Sequence, residues 1–507
     1  MLLRRVLVAC ALLARSAQPA AAAWFEARSS HFIIYSEQKP SELQRYAEDL
    51  ERFDRAVRTL GDTPDPALSD NGKLVIYVLE NADAVSKLVG RPHVAGFYTV
   101  RPSGARAFAN HGRHVDEWDL SAQSVFFHEY LHHLTFMNSS LALPGWLTEG
   151  MAEFFSTAEI RKDGSMLIGR PPLHRAYGLL VEGGLSIDRL VGAETPRTWG
   201  EEDQLYGRGW LLTHLLTFER ERRGQLTSYI AAIQKGTPPL EAARSAFGDL
   251  KKLDRDMGRY LEQRRLQARI IPAATINPGP ITVRPLSAAN SAVLATVIRT
   301  ERGVGAKDAA SVLAEAQKVA KQFPDDPAVL AELAEAQQDA DQNAAAIATA
   351  DKVLAREPRS SKALVVKARA MLAEAYANPA KADWRAIRAD ISRANKLDPD
   401  HAEPLMMFYE TYLAQGLRPT TNSIDGLAYA QMLLPQSEKL RILLVRQRLL
   451  DGDFEDAARL YTPIAYDPHG GTDRARRLQL MAALRTGNTA QARALLENRD
   501  EETAAAR

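Results

Sequence analysis

The segment VFFHEYLHHLTF (residues 125–136) contains the pattern HExxH, formed by His128, Glu129 and His132. Residues four apart in a helix lie on the same face, so the two imidazoles could bind one metal ion. Glu129 lies beside them, where its carboxylate could accept a proton from metal-bound water. The apolar residues around the pattern would seat the helix in a core. The segment therefore predicts a buried helix that carries two ligands of a metal site.

A hydrolytic zinc site needs a third protein ligand and keeps one position open for water. The segment PGWLTEGMAEFF (residues 144–155) follows the first helix and predicts a second one. Glu149 and Glu153 are four residues apart in it, so both could face the metal, and their spacing leaves the choice open. Two histidines with a carboxylate also suit iron or manganese, but HExxH on one helix favours zinc.

These two segments, HEYLHHL and PGWLTEGMAEFF, together resemble the gluzincin metallopeptidases, above all the peptidase-MA-like group and the aminopeptidase N type. The resemblance implies a thermolysin-like α+β zincin domain. It also implies that His128, His132 and Glu149 are the Zn²⁺ ligands and that Glu129 is the general base. Glu153 would then hold a ligating imidazole by its other ring nitrogen.

A third segment, LYGRGWLL (residues 205–212), resembles the Y-x-K-G segment of the aminopeptidase N family, with Arg208 in place of lysine. The resemblance implies that Tyr206 stabilises the oxyanion, although a core tyrosine in an amphipathic helix fits the same pattern. The stretch GARAFAN (residues 104–110) departs from the family pattern G-x-M-E-N. Ala109 stands where a glutamate would bind the free amine of an aminopeptidase substrate, so endopeptidase action is favoured. This strand could still pair with a peptide at a sheet edge.

The other histidines carry weaker patterns. His133, next to the motif, is expected to pack or to be solvated rather than to bind metal. His111 and His114 precede the motif in a loop and could contact the substrate. His214 follows Tyr206 on the same predicted helix and could lie in the core or face the cleft.

The N-terminus has the pattern of a secretory signal peptide, with Arg4 and Arg5 before a short apolar run and alanines at 21–23. We expect residues 1–23 to be removed and the mature chain to be periplasmic or extracellular. Attachment as a lipoprotein through Cys10 is the less favoured alternative. Because Cys10 is the only cysteine, no disulfide framework is possible. No later stretch has the ~18 apolar residues of a membrane span.

At 507 residues the chain is too long for one ordinary domain. Its 64 basic and 63 acidic residues give a net charge of +1, and no charge block points to a nucleic-acid partner. The patterns predict strands over residues 31–36, 73–79, 96–100 and 105–110 and a helix over 41–60, with further helices after them. This order of strands and helices indicates an α+β domain over residues 24–270. Four prolines and the absence of a helical period indicate a linker or an extended strap over residues 271–288.

Residues 289–507 are rich in alanine, leucine and charged residues and have the pattern of helix pairs. Acidic or apolar residues followed by proline recur at an interval close to the ~34 residues of a tetratricopeptide (TPR) repeat, at Pro327, Pro358, Pro399, Pro435 and Pro468. The stretches at 450–468 and 484–497 resemble TPR units most closely. The resemblance implies an all-α TPR-like domain that binds a protein partner, and a generic helical solenoid is the alternative.

The combined patterns predict an exported Zn²⁺-dependent metallopeptidase with a peptide or protein substrate and a TPR-like domain for protein binding. The alternative is a catalytically silent, peptidase-like binding module or scaffold that acts through its helical repeats. A non-peptide amide or ester substrate also fits the motifs. The sequence leaves the cleavage specificity, the oligomeric state and the partner of the repeats open.

Overall fold

The computed structural model describes residues 24–92, 94–111, 121–138, 143–181, 183–192, 196, 198–467 and 473–505. The predicted signal peptide, with Cys10, lies outside the described residues, as does His114. The strands of the described residues are β1 (Phe25–Arg28), β2 (Phe32–Ser36), β3 (Leu74–Leu79), β4 (Phe97–Arg101), β5 (Gly104–Asn110), β6 (Glu159–Ile160), β7 (Met166–Ile168), β8 (Arg269–Ile271) and β9 (Thr282–Pro285).

The α-helices up to residue 261 are α1 (Pro40–Gly61), α2 (Ala82–Val89), α3 (Ala122–Asn138), α4 (Gly145–Ser156), α5 (Ala176–Leu180), α6 (Ile187–Val191), α7 (Trp199–Phe218), α8 (Gln225–Gln234), α9 (Pro239–Phe247) and α10 (Leu250–Leu261). Those beyond it are α11 (Ala288–Arg302), α12 (Ala306–Gln322), α13 (Pro327–Asp339), α14 (Asn343–Arg356), α15 (Ser361–Ala377), α16 (Trp384–Leu397), α17 (Ala402–Ala414), α18 (Thr421–Leu433), α19 (Glu438–Asp451), α20 (Phe454–Ala465), α21 (Arg474–Arg485) and α22 (Thr489–Ala505).

Six strands form one mixed sheet in the order β4-β5-β3-β2-β1-β9, and β6, β7 and β8 form a small second sheet. Strands β2, β3 and β5 run parallel to one another, whereas β4, β1 and β9 run antiparallel to their neighbours. The strands predicted from 31–36, 73–79, 96–100 and 105–110 coincide with β2, β3, β4 and β5 to within one or two residues. This part of the chain is α+β.

Helix α1 packs against this sheet and also contacts the metal-motif helix α3. Its buried residues follow the helical period, and Phe53 stacks on Phe127 of α3 with ring centroids 3.7 Å apart. The helix begins at Pro40, one residue before the predicted start. Proline suits the first turn, because its missing N–H group would have no partner there.

The segment 271–288, predicted as a linker or strap, lies in extended contact with the sheet. Within it, β9 pairs with β1 in a register from Phe25 opposite Pro285 to Arg28 opposite Thr282. The side chain of Ile276 is fully buried in the core of the α+β part. The segment therefore adds the last strand of the sheet before the chain becomes all-helical.

Beyond the strap, the chain is an all-helical repeat region in which consecutive helices pack as pairs. Three of the prolines that suggested a repeat, Pro358, Pro399 and Pro435, lie two residues after the last residue of α14, α16 and α18. Pro327 is instead the first residue of α13, and Pro468 lies outside the described residues. Proline cannot continue a helix, because it lacks the N–H group and clashes with the preceding turn. These three prolines are therefore stop signals between units, whereas Pro327 occupies the first turn of a helix, where proline is tolerated.

The two parts share an extensive interface. Leu294 and Ile298 of α11 pack on Tyr77 and Phe108 of the sheet. Buried polar contacts reinforce this packing, including the ion pair of 2.7 Å from Arg106 Nε to Glu301 Oε2. No helix among the described residues combines the length and the apolar character that crossing a bilayer requires.

Candidate metal centre

Helices α3 and α4 bring the three predicted metal ligands together. The Nε2 atoms of His128 and His132 lie 3.1 Å apart. The Oε2 atom of Glu149 lies 3.2 Å from the first of them and 3.5 Å from the second. All three side chains are largely buried, and the cluster has the composition and closeness of a metal site.

The spacing of these three atoms fits a tetrahedral zinc ion. Zinc binds imidazole nitrogen and carboxylate oxygen at about 2.0–2.1 Å, which places neighbouring ligand atoms roughly 3.3 Å apart in a tetrahedron. The observed separations of 3.1, 3.2 and 3.5 Å lie around that value. Two imidazoles and one carboxylate also leave a fourth position for water or substrate, as hydrolytic zinc sites require.

Glu153 lies on the opposite side of His128 from Glu149. One of its carboxylate oxygens is 3.6 Å from His128 Nδ1, and the other is 3.0 Å from His174 Nε2. Burial favours the neutral form, but the hydrogen bond from His174 and the charge of Arg175, 2.8 Å away, lower the pKa of Glu153 to about 2. Glu153 is therefore a carboxylate anion behind the ring of His128, where the resemblance implied an outer carboxylate.

The same carboxylates act on the imidazole of His128. Burial disfavours the protonated ring, yet the hydrogen bond to Glu149 and the charge of Glu153 outweigh burial and raise the pKa of His128 above its ordinary value. The site thus attracts positive charge, and a metal ion would compete with protons for the same atoms.

Tyr206 lies on α7, and its ring centroid is 6.0 Å from that of His128. Burial and the charge of Glu149 raise the pKa of its phenol, so the hydroxyl keeps its proton and remains a donor. The guanidinium of Arg175 lies over the ring at 4.3 Å from its centroid. Arg208, which stands in the place of a family lysine, instead donates hydrogen bonds to the Leu185 carbonyl and to Asp254.

Two glycines allow α4 and α7 to approach closely enough to bring Glu149 and Tyr206 to one site. A Cβ atom on Gly150 would collide with the carbonyl oxygen of Gly209, and one on Gly209 would lie 2.5 Å from the Trp146 carbonyl oxygen. No side chain fits these gaps. Gly150, next to the predicted ligand Glu149, and Gly209, three residues after Tyr206, therefore have a packing role.

Glu129 and His132 line a cavity of about 240 Å³ that is also bordered by Tyr98 and Val100 of β4. The sheet edge at this cavity is β4, whereas β5, the strand of residues 104–110, is paired with β3 on one side and β4 on the other. The expectation that β5 could pair with a peptide is therefore wrong, because both of its edges are occupied. A peptide that adds a strand would pair with β4 instead.

The remaining histidines have different surroundings. His133 is buried, and its Nδ1 lies at hydrogen-bond distance from the Tyr98 hydroxyl (2.8 Å) and from the Gln436 side-chain amide nitrogen (3.2 Å). Burial lowers the pKa of His133 to about 3 and that of His214 to about 4, so both rings are neutral. His214 is a core residue, whereas His111 is exposed at the end of β5.

Sequence patterns assigned no role to His174 and Arg175, which lie together in a short 3₁₀-helix at 173–175. Both bind the carboxylate of Glu153, and Arg175 also contacts the ring of Tyr206. No spacing pattern could have identified them, because they meet Glu153 through tertiary packing at a separation of more than 20 residues.

Comparisons with known proteins give matches among solved structures. No protein-family model matches the chain. No curated protein matches it either. A thermophilic TPR protein of Thermus thermophilus is 20% identical, with a TM-score of 0.32, over 38% of this chain and 97% of that one. Yeast Tom70 is 13% identical, with a TM-score of 0.26, over 64% of this chain and 71% of that one.

Proposed function

We propose that this chain is a zinc-dependent hydrolase that cleaves peptide bonds, and that it acts after export through its N-terminal segment. The observation that carries the proposal is the convergence of His128 Nε2, His132 Nε2 and Glu149 Oε2 within 3.5 Å of one another. The resemblance of the three surrounding segments to gluzincin peptidases supports the same chemistry.

Zinc at this site would polarise the scissile carbonyl and make water nucleophilic near neutral pH. Glu129, next to a ligand and on the wall of the cavity, would accept the proton of the attacking water and deliver it to the leaving amine. Tyr206 would donate its hydroxyl hydrogen to the developing oxyanion. Strand β4, which ends the sheet among the described residues, would align an extended peptide beside Glu129.

Endopeptidase action is the favoured form of this activity. The family glutamate that would hold the amino terminus of an aminopeptidase substrate is replaced by Ala109. Ala109 is a buried residue of β5 and offers no group that could bind an amine.

A catalytically silent binding module is the second candidate. The all-helical repeat region favours it, because stacked helix pairs present extended surfaces to proteins. In that case the residues of the metal centre would serve structure alone.

The variant Glu129→Gln separates the two candidates. We expect the zinc-loaded wild-type chain to cleave members of a random peptide library, and the variant to lose about 10²–10⁴-fold in turnover because its amide accepts no proton. Both proteins should retain about one zinc ion per chain. Glu241→Gln, a change at an exposed carboxylate of α9, is the matched control and should leave turnover unchanged.

Two results would count against the hydrolase. Full activity in Glu129→Gln would remove the assigned base. A zinc-loaded wild-type chain that cleaves no library peptide would leave the binding module as the better account of the chain.

A further inference from the structure

The cavity beside Glu129 has a second wall, which comes from the repeat region. On the metal side the cavity is lined by Glu129, His132 and Glu149. On the opposite side it is lined by residues of the repeat region, among them the cations Arg441 and Arg477 and the carboxylates Glu438 and Asp467. The hydrogen bond between Gln436 and His133 fixes this contact next to the metal-motif helix.

Arg441 stands out on that wall because it is a buried cation. Its side chain is only 6% exposed, and its guanidinium donates hydrogen bonds to two carbonyl oxygens, those of Pro435 at 2.6 Å and Leu460 at 3.3 Å. Among the described residues it has no carboxylate partner. Burial and the nearby Arg459 lower the pKa of Arg441 to about 10, so the group is still charged at neutral pH.

A buried charge of this kind is costly unless an opposite charge meets it. Arginine has five N–H donors, and the two carbonyls account for two of them. The other cation of the wall, Arg477, has a partner already, since its Nη1 lies 3.2 Å from Asp467 Oδ2. Arg441 is therefore the group on this wall that an incoming anion would neutralise.

We propose that Arg441 determines specificity in the proposed peptidase by binding a carboxylate of the peptide substrate across the cavity from the metal centre. The carboxylate belongs either to an aspartate or glutamate side chain near the scissile bond or to the C-terminus of the peptide. The planar guanidinium matches both, because it can donate two parallel hydrogen bonds to a carboxylate. This inference rests on the proposed function.

The proposal gives the repeat region a direct part in the site. The metal side supplies the reacting groups, and the repeat side supplies the charge that selects the peptide. The substrate cleft then exists only where the two parts of the chain meet.

The test uses the full-length chain and four pools of random hexapeptides, dye-labelled at the N-terminus. The pools contain Asp and Glu or only Asn and Gln in their place, and each has a free or an amidated C-terminus. Binding is measured on zinc-loaded Glu129→Gln protein, and turnover is measured on the chain with Glu129 intact. The variants are Arg441→Gln and Arg441→Lys, with Arg459→Gln as control because it removes an exposed guanidinium nearby.

We expect carboxylate-bearing pools to bind at least about tenfold more tightly than neutral ones, and the preference to appear in KM rather than in kcat. Arg441→Gln should abolish the preference, Arg441→Lys should restore part of it, and Arg459→Gln should keep it. If amidation of the peptides weakens binding, Arg441 binds the C-terminal carboxylate. If replacement of Asp and Glu weakens binding, Arg441 binds a side-chain carboxylate.

The outcomes separate this inference from the proposed function. Cleavage without any carboxylate preference would overturn the role of Arg441 and leave the peptidase standing. A preference in binding that needs Arg441, without turnover, would support the role and count against the peptidase. Binding of none of the pools would overturn the inference. Circular dichroism identifies an unfolded Arg441→Gln variant, and Arg441→Lys then decides the question.

Discussion

Two clusters of histidine and carboxylate side chains are buried in the α+β part, and both have the composition of a metal site. In the first, His31 Nδ1 lies 2.8 Å from Glu51 and 3.4 Å from Asp54, while its Nε2 lies 2.7 Å from Asp65. Nδ1 thus faces two carboxylates and Nε2 a third one. The arrangement suits a protonated imidazole within an ion-pair network, with both nitrogens as donors.

In the second cluster, two ring nitrogens and one carboxylate oxygen face one another. His128, His132 and Glu149 direct these atoms at a common point, where a cation would meet all three. The comparison shows that residue type and closeness do not define a metal site. A metal site is defined by ligand atoms that point at a common position. In the first cluster a proton on each ring nitrogen neutralises the facing carboxylates, whereas in the second cluster a metal ion would bind all three ligand atoms.

The largest expected effect is the loss of metal from the second cluster. Wild-type protein should contain about one zinc ion per chain, and His132→Ala should contain almost none, since two ligands hold zinc far less tightly than three. Metal analysis of purified protein by mass spectrometry measures this. His31→Gln is the control and should keep its zinc. Equal zinc loss in both variants would contradict the distinction between the clusters.

The next effect concerns stability at the first cluster. His31→Gln removes the cation between Glu51 and Asp54 and leaves buried carboxylates without it, which should lower the free energy of unfolding by about 3–5 kcal/mol. Urea denaturation measures the difference. A loss below about 1 kcal/mol would show that Arg58, which also pairs with Asp54, is sufficient.

This stability difference should depend on pH. Burial opposes the charged ring, but Glu51 and Asp54 outweigh it and raise the pKa of His31 above the ordinary value of about 6.5. A raised pKa means that the stabilisation is fully present below pH ~6.5 and is lost as the pH rises through the folded value. The difference in free energy of unfolding between wild type and His31→Gln should therefore decrease with increasing pH. A difference that increases with pH would contradict a raised pKa of His31.

A smaller effect is expected from the helix contact that positions the second cluster. Gly150→Ala should reduce the free energy of unfolding by about 1–3 kcal/mol, because its methyl group would collide with the Gly209 carbonyl. The zinc affinity should also fall, because Glu149 is the residue next to Gly150 and would be displaced by the collision. Gly258→Ala, in an open part of α10, should be neutral or stabilising. Equal midpoint temperatures of the two variants in thermal denaturation would contradict the close approach of α4 to α7 at Gly150.

The smallest expected effect comes from Glu153, the carboxylate behind His128. Glu153→Gln should weaken zinc binding about tenfold while leaving the three ligands in place, because outer carboxylates orient imidazoles and increase their basicity. Competition with a zinc chelator measures the affinity. Glu159→Gln, at a half-exposed carboxylate of β6, is the control. Unchanged affinity would limit Glu153 to its contacts with His174 and Arg175.

Much of the strand and helix order could be predicted from the sequence, because it depends on local patterns. The stretches HFIIYS and KLVIYVL are apolar and β-branched, and they form β2 and β3. The two histidines of the second cluster could be predicted from HExxH on one helix. The spacing of Glu149 and Glu153 fitted either as third ligand, and only the resemblance to gluzincin peptidases implied Glu149. The meeting of the three side chains within 3.5 Å is seen only in the folded chain.

The other contacts depend on tertiary structure and have no local pattern. Gln436 meets His133 across 303 residues of sequence. The position of Arg441 at the cavity depends on how the helix pairs stack between α11 and α19. Small rotations between successive repeats determine this stacking. Glycine spacing alone could not show that Gly150 faces Gly209, since many helix glycines, such as Gly258, face open space.

The pairing of β1 with β9 has a consequence for the order in which the chain can fold. Strand β1 lies near residue 25 and its outer partner near residue 285, so the sheet cannot be completed until about 260 further residues have been synthesised after β1. Until then the outer edge of β1 has unpaired backbone groups, which can pair with other chains. The sheet of the α+β part is therefore completed late in synthesis. A chain that ends before residue 282 would keep an unpaired edge on β1, at which other chains could add a strand.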